Sequence, residues 1–174
     1  KYIYNRKGPL SLSINQSGGY VSWNSKHHYP NLQIYFNPLT YSITHKNKRP
    51  LLKTDKFNGF IIGYNSCRPK SLGRVALNSP SFNDTPLIDP NFLSHEEDIY
   101  DVKCAINFSQ VLANTNSIKK IRNESVTHDL LNATEEEMID HFKSNAVSIY
   151  HPCGTCKMDE DPKKGVVSER LKVH

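Results

Sequence analysis

One short segment combines a histidine, two cysteines and two residues that restrict or free the backbone: Tyr-His-Pro-Cys-Gly-Thr-Cys-Lys-Met, residues 150–158. Pro152 disfavours helical geometry at the preceding residue, so His151 is expected on extended backbone. Gly154 permits a tight bend or the close approach of another molecule. An imidazole held on such a corner suits proton transfer, which depends on accurate placement. The pattern therefore leaves two interpretations of His151 open, a catalytic base or an ordinary surface or satisfied core histidine.

The two cysteines of this segment favour a different chemistry. Cys153 and Cys156 have the spacing of a thioredoxin-type redox motif, although that motif begins a helix and this pair follows a helical pattern. Together with His151 they are also a candidate set of three zinc ligands. Because no second Cys-x-x-Cys or His-x-x-x-His lies nearby, we expect no metal and interpret both cysteines as small buried residues. A small metal-binding or thiol-redox module is the alternative function.

Composition limits the function classes. The chain has 174 residues, 37% of them hydrophobic, which suits one domain or one lobe of a larger protein. Its mean hydropathy is −0.60, and no apolar run is long enough for a membrane span. The net charge is +5, but the basic residues are scattered, which argues against nucleic-acid binding. Four cysteines in a chain of this length favour a reduced, cytoplasmic context.

The helix before residue 150 is predicted from its first turn and its apolar stripe. Thr134 and Glu137 have the spacing of a capping box. The residues expected in its buried stripe are Met138, Ile139, Phe142, Ala146 and Val147. The negative end of such a helix would favour a protonated imidazole at His151.

The clearest strand covers residues 32–36. Leu32, Ile34 and Phe36 share one face, which is expected to pack on the core. Gln33 and Tyr35 share the other face, where they either line a substrate pocket or face solvent.

The remaining patterns predict an α+β fold, with a mostly antiparallel sheet and helices packed on one side. The predicted elements are a helix end at residues 1–7, a turn at 18–19 followed by a strand at 20–23, an antiparallel pair formed by 57–64 and 74–78, an extended edge at 86–90 and a helix from 94 or 95 to about 114. No Gly-x-Gly-x-x-Gly fingerprint occurs.

Several segments, taken in order, resemble the C-terminal, substrate-binding half of glucose–methanol–choline (GMC) oxidoreductases, nearest to the bacterial choline-dehydrogenase-like branch, which implies a bacterial source. These are residues 5–10, 31–36, 68–75, 86–93, 150–158 and 166–174, of which Tyr-His-Pro-x-Gly-Thr-x-x-Met is the most specific. The resemblance covers essentially the whole chain, residues 1–174, which we therefore expect to be truncated at both ends.

The resemblance implies a flavoenzyme. Members of the family bind FAD and oxidise alcohols by transferring a hydride from the carbinol carbon to flavin N5. The histidine that matches His151 acts as the base or orients the alcohol oxygen. Ile149 and Tyr150 would flank the flavin or the substrate, and Gln33 or Tyr35 would line the substrate side. The resemblance also implies that Pro152 and Gly154 lie at the cofactor, and a hydroxynitrile lyase is another activity that this family contains.

The chain departs from the family pattern at identifiable points. The Gly-rich FAD-binding strand–turn–helix, and hence most of the Rossmann core, is absent, and the second active-site histidine or asparagine of relatives would lie beyond His174. Asp159 stands where many relatives have glycine. No aromatic or carboxylate cage for a choline cation can be assembled from these residues. We therefore expect the chain by itself to bind FAD weakly and to have little activity.

Overall fold

A computed structural model of the protein describes residues 2–8, 11, 13–43, 52–123 and 132–174. The helices are α1 (Tyr2–Asn5), α2 (Glu96–Ala113), α3 (Asn116–Lys119) and α4 (Glu135–Asn145). The strands are β1 (Ser17–Val21), β2 (Leu32–Asn37), β3 (Tyr41–Ile43), β4 (Leu52–Thr54), β5 (Ile61–Ser66), β6 (Arg74–Ala76) and β7 (Leu87–Asp89). The chain divides into two compact units: unit 1 contains residues 1–71 and 93–141, and unit 2 contains residues 72–92 and 142–174.

Unit 1 is built on a three-stranded antiparallel sheet in the order β1-β2-β5, with α2 against one face. The core consists of Leu32 and Ile34 from β2 and of Cys104 and Ala105 from α2. Because side chains alternate along a strand, Gln33 and Tyr35 lie on the face away from α2. The predicted α+β class, with a helix on one side of an antiparallel sheet, is confirmed.

Helix α2 begins where its sequence predicts. His95 is the N-cap, and its Nδ1 accepts a hydrogen bond from the backbone N–H of Glu97 at 3.2 Å. Three acidic residues occupy the first turn, where they interact favourably with the partial positive charge of the helix N-terminus. The buried carboxylate of Asp98, only 5% exposed, accepts the backbone N–H groups of Lys70 at 2.7 Å and Ser71 at 2.8 Å. This contact ties the helix to the turn that follows β5.

The strand pairing differs from the sequence-based prediction in two places. Residues 18 and 19 lie inside β1 and do not form a turn. Strand β5 pairs with β2, whereas β6 pairs with β7, so the predicted antiparallel pair of 57–64 with 74–78 is wrong. The physical reason is burial: Ile62 and Tyr64 of β5 pack against the core that β2 and α2 form.

Helix α4 has the predicted capping box. The Glu137 carboxylate accepts the backbone N–H of Thr134 at 2.8 Å, and the Thr134 hydroxyl accepts the N–H of Glu137 at 3.3 Å. Met138 is buried, but Ala146 and Val147 are exposed because the helix ends at Asn145. The buried stripe is therefore shorter than predicted.

Unit 2 contains the β6–β7 ribbon and a C-terminal segment held by backbone contacts. Met158 bridges Val167 in parallel, and Val167 bridges Val173 in antiparallel fashion. The polar turn between them is closed by Asp159, whose carboxylate accepts the backbone N–H of Asp161 at 3.1 Å. That hydrogen bond is the main cause that lowers the pKa of Asp159. None of the helices in the described ranges has the length and apolar character needed to cross a bilayer.

Candidate functional site

His151 lies on irregular chain beyond α4, as the Pro152 pattern predicts. Tyr150, immediately before it, has φ +61°, a left-handed conformation that a bulky side chain rarely adopts. The Tyr150 N–H donates to the Ser148 hydroxyl at 3.0 Å, which supports this conformation. The imidazole is exposed, and no described residue forms a hydrogen bond or ion pair with it. His151 is thus presented outward from a sharp bend.

The partial negative charge at the C-terminal end of α4 acts on His151 less than the sequence indicates. The helix ends at Asn145, so residues 146–150 separate it from His151. The charge at a helix terminus stabilises groups mainly within the last turn of the helix. A position beyond residues 146–150 in the sequence is therefore not enough to give His151 this stabilisation.

The side chains around His151 present an apolar surface. Ile149 is 48% exposed and Tyr150 is 71% exposed. Gly154 has φ +103°, and a Cβ built there would meet nothing within 4 Å. Pro152 is exposed as well, and within the described ranges no group accepts a hydrogen bond from the backbone N–H of residues 153–156. This surface combines unpartnered hydrogen-bond donors with exposed apolar groups.

Cys153 and Cys156 are exposed free thiols, so the prediction that they are buried is wrong. The reason is that every residue from 143 to 158 is exposed once the chain leaves α4. Neither cysteine begins a helix, which is the position a thioredoxin-type thiol requires. In the part of the chain that the structure describes, no three His, Cys, Asp or Glu residues are grouped so that they could hold a metal ion.

Gln33 and Tyr35 line one groove in unit 1. The groove has a volume of about 310 Å³ and is formed by residues 15–20 and 33–35, on the sheet face away from α2. Tyr35 pairs with Gly18 on one side and Gly63 on the other, so neither residue directly opposite it carries a side chain. Burial, followed by the neighbouring Tyr20 and Cys67, raises the pKa of Tyr35 and keeps its phenol protonated.

Two residues of this face were missed at the sequence level. Gln33 pairs with Tyr20 of β1 and with Asn65 of β5, which places both on the groove side of the sheet. The alternation of side chains within β2 predicts which of its residues share a face. Which residues of β1 and β5 lie on that face is known only from the register of the strand pairing. Gln33 and Tyr35 belong to unit 1, whereas residues 149–154 belong to unit 2.

Residues 69–174, more than half of the chain, match the C-terminal model described as GMC oxidoreductase. The chain belongs to the GMC oxidoreductase family. This GMC chain is 35% identical over 161 residues to an alcohol dehydrogenase (acceptor) from Pseudomonas putida, covering 92% of the chain and 28% of that protein. It is 27% identical over 174 residues to an oxygen-dependent choline dehydrogenase from Cronobacter sakazakii, covering all of the chain and 30% of that protein. The GMC chain thus spans less than a third of the length of these relatives.

Solved structures share the fold of this GMC chain. A formate oxidase superposes with a TM-score of 0.78 at 23% identity, covering 99% of the chain and 34% of the oxidase. A second structure, of an Aspergillus oryzae formate oxidase studied for modification of its FAD, superposes with a TM-score of 0.64 at 24% identity. The match covers 84% of this chain and 25% of that oxidase. At these identities the similarity establishes the architecture, in agreement with the predicted α+β class.

Proposed function

We propose that residues 1–174 form the substrate-binding, C-terminal part of an FAD-dependent oxidoreductase that oxidises the CH–OH group of an alcohol, with His151 as the base. The observation that carries this proposal is the exposed imidazole beside a strained residue, within the segment that matches the GMC family. The named activities of relatives, alcohol dehydrogenase and choline dehydrogenase, support oxidation of an alcohol.

The surroundings of His151 support this role. A neutral imidazole accepts a proton from an alcohol hydroxyl near pH 7 without metal assistance. Because no described residue hydrogen-bonds to the ring, both ring nitrogens remain available to a substrate. Pro152 and Tyr150 restrict the backbone on either side, so the imidazole is held by a stiff segment of chain.

The residues next to His151 fit a flavin. The exposed side chains of Ile149 and Tyr150 offer apolar area for a flat ring system. Pro152 adds a rigid apolar edge, and the open space beside Gly154 allows close approach of the backbone. The unpartnered N–H groups of residues 153–156 are suitable donors to flavin oxygens. When bound, FAD supplies the hydride acceptor for alcohol oxidation.

The test uses the full-length enzyme that contains this chain. Replacing the base in His151→Ala is expected to lower kcat/KM for the best alcohol by about 10²–10⁴-fold, with flavin content unchanged. The matched control is His28→Ala, which removes an exposed imidazole from unit 1 and should leave kcat/KM within about twofold. Unchanged turnover in His151→Ala would remove the catalytic assignment.

The chain of 174 residues by itself is expected to retain little FAD, because the relatives it matches are more than three times longer. Flavin absorbance after desalting is the measurement. A stoichiometric flavin signal that survives desalting would show that these residues bind the cofactor without the remainder of a longer protein.

A further inference from the structure

Unit 2 contains two thiols that the proposed function does not use. Cys153 and Cys156 are exposed and free, and they lie in the segment that carries His151. The other cysteines, Cys67 and Cys104, belong to unit 1, where the first is half-buried and the second is buried. Thiol–disulfide exchange requires access to the sulfur atom. Cys153 and Cys156 are therefore the thiols of this chain that a small disulfide reaches first.

The backbone between the two thiols bends. Gly154 has φ +103°, a left-handed conformation that glycine adopts without steric cost, and residues 155 and 156 lie in a turn. A disulfide needs its two Cα atoms about 4.4–6.8 Å apart. Residues three positions apart on a bent backbone meet this requirement, as in a β-turn, where the first and fourth Cα atoms are within about 7 Å of each other. The spacing and the bend therefore suit a disulfide between Cys153 and Cys156.

Closing this ring breaks no hydrogen bond of the segment. Within the described ranges, no residue donates a hydrogen bond to residues 151–156 or accepts one from them. The next residue is anchored, because the N–H of Val166 donates to the carbonyl of Lys157 at 2.8 Å. Cys156 thus borders a fixed point, whereas Cys153 lies on a stretch of chain that can move towards it at little cost.

The surroundings of the pair favour a regulatory disulfide over a catalytic one. Neither cysteine begins a helix, and a helix N-terminus is one of the features that activate the thiols of catalytic oxidoreductases. A regulatory disulfide forms once per molecule and does not need that position. In the described part of the chain, no three His, Cys, Asp or Glu residues are grouped to hold a metal ion, so metal binding does not compete for these thiols.

We propose that Cys153 and Cys156 form a reversible disulfide by exchange with a low-molecular-weight disulfide, and that this disulfide weakens flavin binding by the segment that carries His151. The thiolate of one cysteine attacks the small disulfide and releases one small thiol, which leaves a mixed disulfide on the protein. The thiolate of the other cysteine then attacks the protein sulfur and releases the second small thiol. The cysteines lose two electrons and two protons, which the released thiols gain.

The effect on the flavin rests on the proposed function. The N–H groups of residues 153–156 are the proposed donors to flavin oxygens, and Gly154 is the proposed point of close approach. The disulfide closes a ring that contains Gly154 and Thr155, which turns these N–H groups and fixes them in another orientation. Because linkage is reciprocal, a bound flavin must favour the reduced pair by the same factor by which the disulfide weakens flavin binding.

The first test follows the thiols in the reduced, flavin-free form of the full-length enzyme that contains this chain. Trypsin leaves both cysteines in one peptide, residues 144–157. After treatment with excess oxidised glutathione, mass spectrometry should find this peptide lighter by the mass of two hydrogen atoms, and dithiothreitol should reverse the change. Cys156→Ser should instead stop at the mixed disulfide, with the peptide heavier by one bound glutathione. Cys67→Ser, which lies outside the pair, is the matched control and should form the disulfide as the wild type does.

A wild-type peptide that keeps both thiols, or that stops at the mixed disulfide, would overturn the proposal. The second test measures FAD binding by the reduced and the oxidised flavin-free enzyme. Oxidation should raise the Kd for FAD by at least about fivefold, and dithiothreitol should restore it. The double variant Cys153→Ser, Cys156→Ser should show the same Kd with and without oxidised glutathione.

A further measurement uses the flavin-loaded enzyme. At a fixed ratio of oxidised to reduced glutathione, the fraction of the wild type that carries the disulfide should be smaller with FAD bound than without it. A disulfide that forms without changing the Kd for FAD would overturn this inference and leave alcohol oxidation with His151 as the base intact. FAD binding by neither form, together with no alcohol turnover by the wild type as purified, would overturn the proposed function and the effect on the flavin with it.

Discussion

Gly18 of β1 lies directly against the carbonyl oxygen of Ile34 in β2, so closely that a Cβ at position 18 would overlap that oxygen. The adjacent Gly19 is different, because a Cβ there would meet nothing within 4 Å. The two glycines are neighbours in one strand, and only the first is required by the packing of the sheet. Gly18 also pairs with Tyr35, so this close approach forms one side of the groove.

Gly18→Ala is expected to destabilise the protein by about 2 kcal/mol, because the backbone of β1 must move away from β2 to admit the methyl group. Gly19→Ala should change the free energy of unfolding by at most about 0.5 kcal/mol. Urea denaturation followed by circular dichroism measures both. Equal effects of the two substitutions would contradict the close contact of Gly18 with Ile34.

Asp98 provides a stability prediction with a defined pH dependence. Burial raises its pKa, but the hydrogen bonds from Lys70 and Ser71 outweigh burial and leave the pKa below its ordinary value. A carboxyl group whose pKa is lowered by folding stabilises the protein fully above its unfolded pKa of about 3.9. This contribution is lost as the pH falls through the folded pKa.

Asp98→Asn is therefore expected to lower the free energy of unfolding by about 2 kcal/mol at pH 7, and the deficit relative to wild type should shrink below pH 4. Denaturant titrations between pH 7 and pH 3 measure the difference. Glu96→Gln, an exposed substitution in the same helical turn, is the control and should cost at most about 0.5 kcal/mol. A deficit that does not vary with pH would exclude the ionised carboxylate as its source.

Tyr150 is predicted to be strained, since its φ is +61° and its side chain is 71% exposed. Tyr150→Gly removes both the side chain and the strain, whereas Tyr150→Ala removes the side chain and keeps the Cβ. The glycine variant should be more stable than the alanine variant by about 1 kcal/mol, as measured by thermal or urea denaturation. If the alanine variant is equally stable, the left-handed conformation carries no strain.

Thiol labelling tests whether Cys153 and Cys156 are exposed, as in the structure, or buried, as the sequence predicted. The exposed Cys153 and Cys156 should react first with a chromogenic disulfide reagent, and Cys104 should react last because it is buried and burial raises its pKa. The double variant Cys153→Ser, Cys156→Ser should lose the fast phase. The fast phase would persist in that variant only if other thiols are the accessible ones.

The predictions that succeeded depend on local patterns. Strand β2 was predicted within one residue because alternation of apolar and polar side chains is a property of the strand itself. Helices α2 and α4 were predicted because their first turns carry caps and acidic residues that act within a few positions. The predictions that failed, the glycine turn and the partner of β5, required knowledge of which distant segment lies alongside.

The features of the candidate site also separate into those that follow from local sequence and those that only the tertiary structure shows. The position of His151 beyond a helix, on backbone constrained by Pro152, follows from residues adjacent to it in the sequence. The sequence by itself also determined the two faces of β2 and therefore the shared side of Gln33 and Tyr35. Only the tertiary structure decided that β1 and β5 flank β2, that glycines flank Tyr35 and that the cysteines are exposed. The reason is that alternation and capping arise from short-range backbone geometry, whereas register and exposure depend on contacts between residues far apart in the chain.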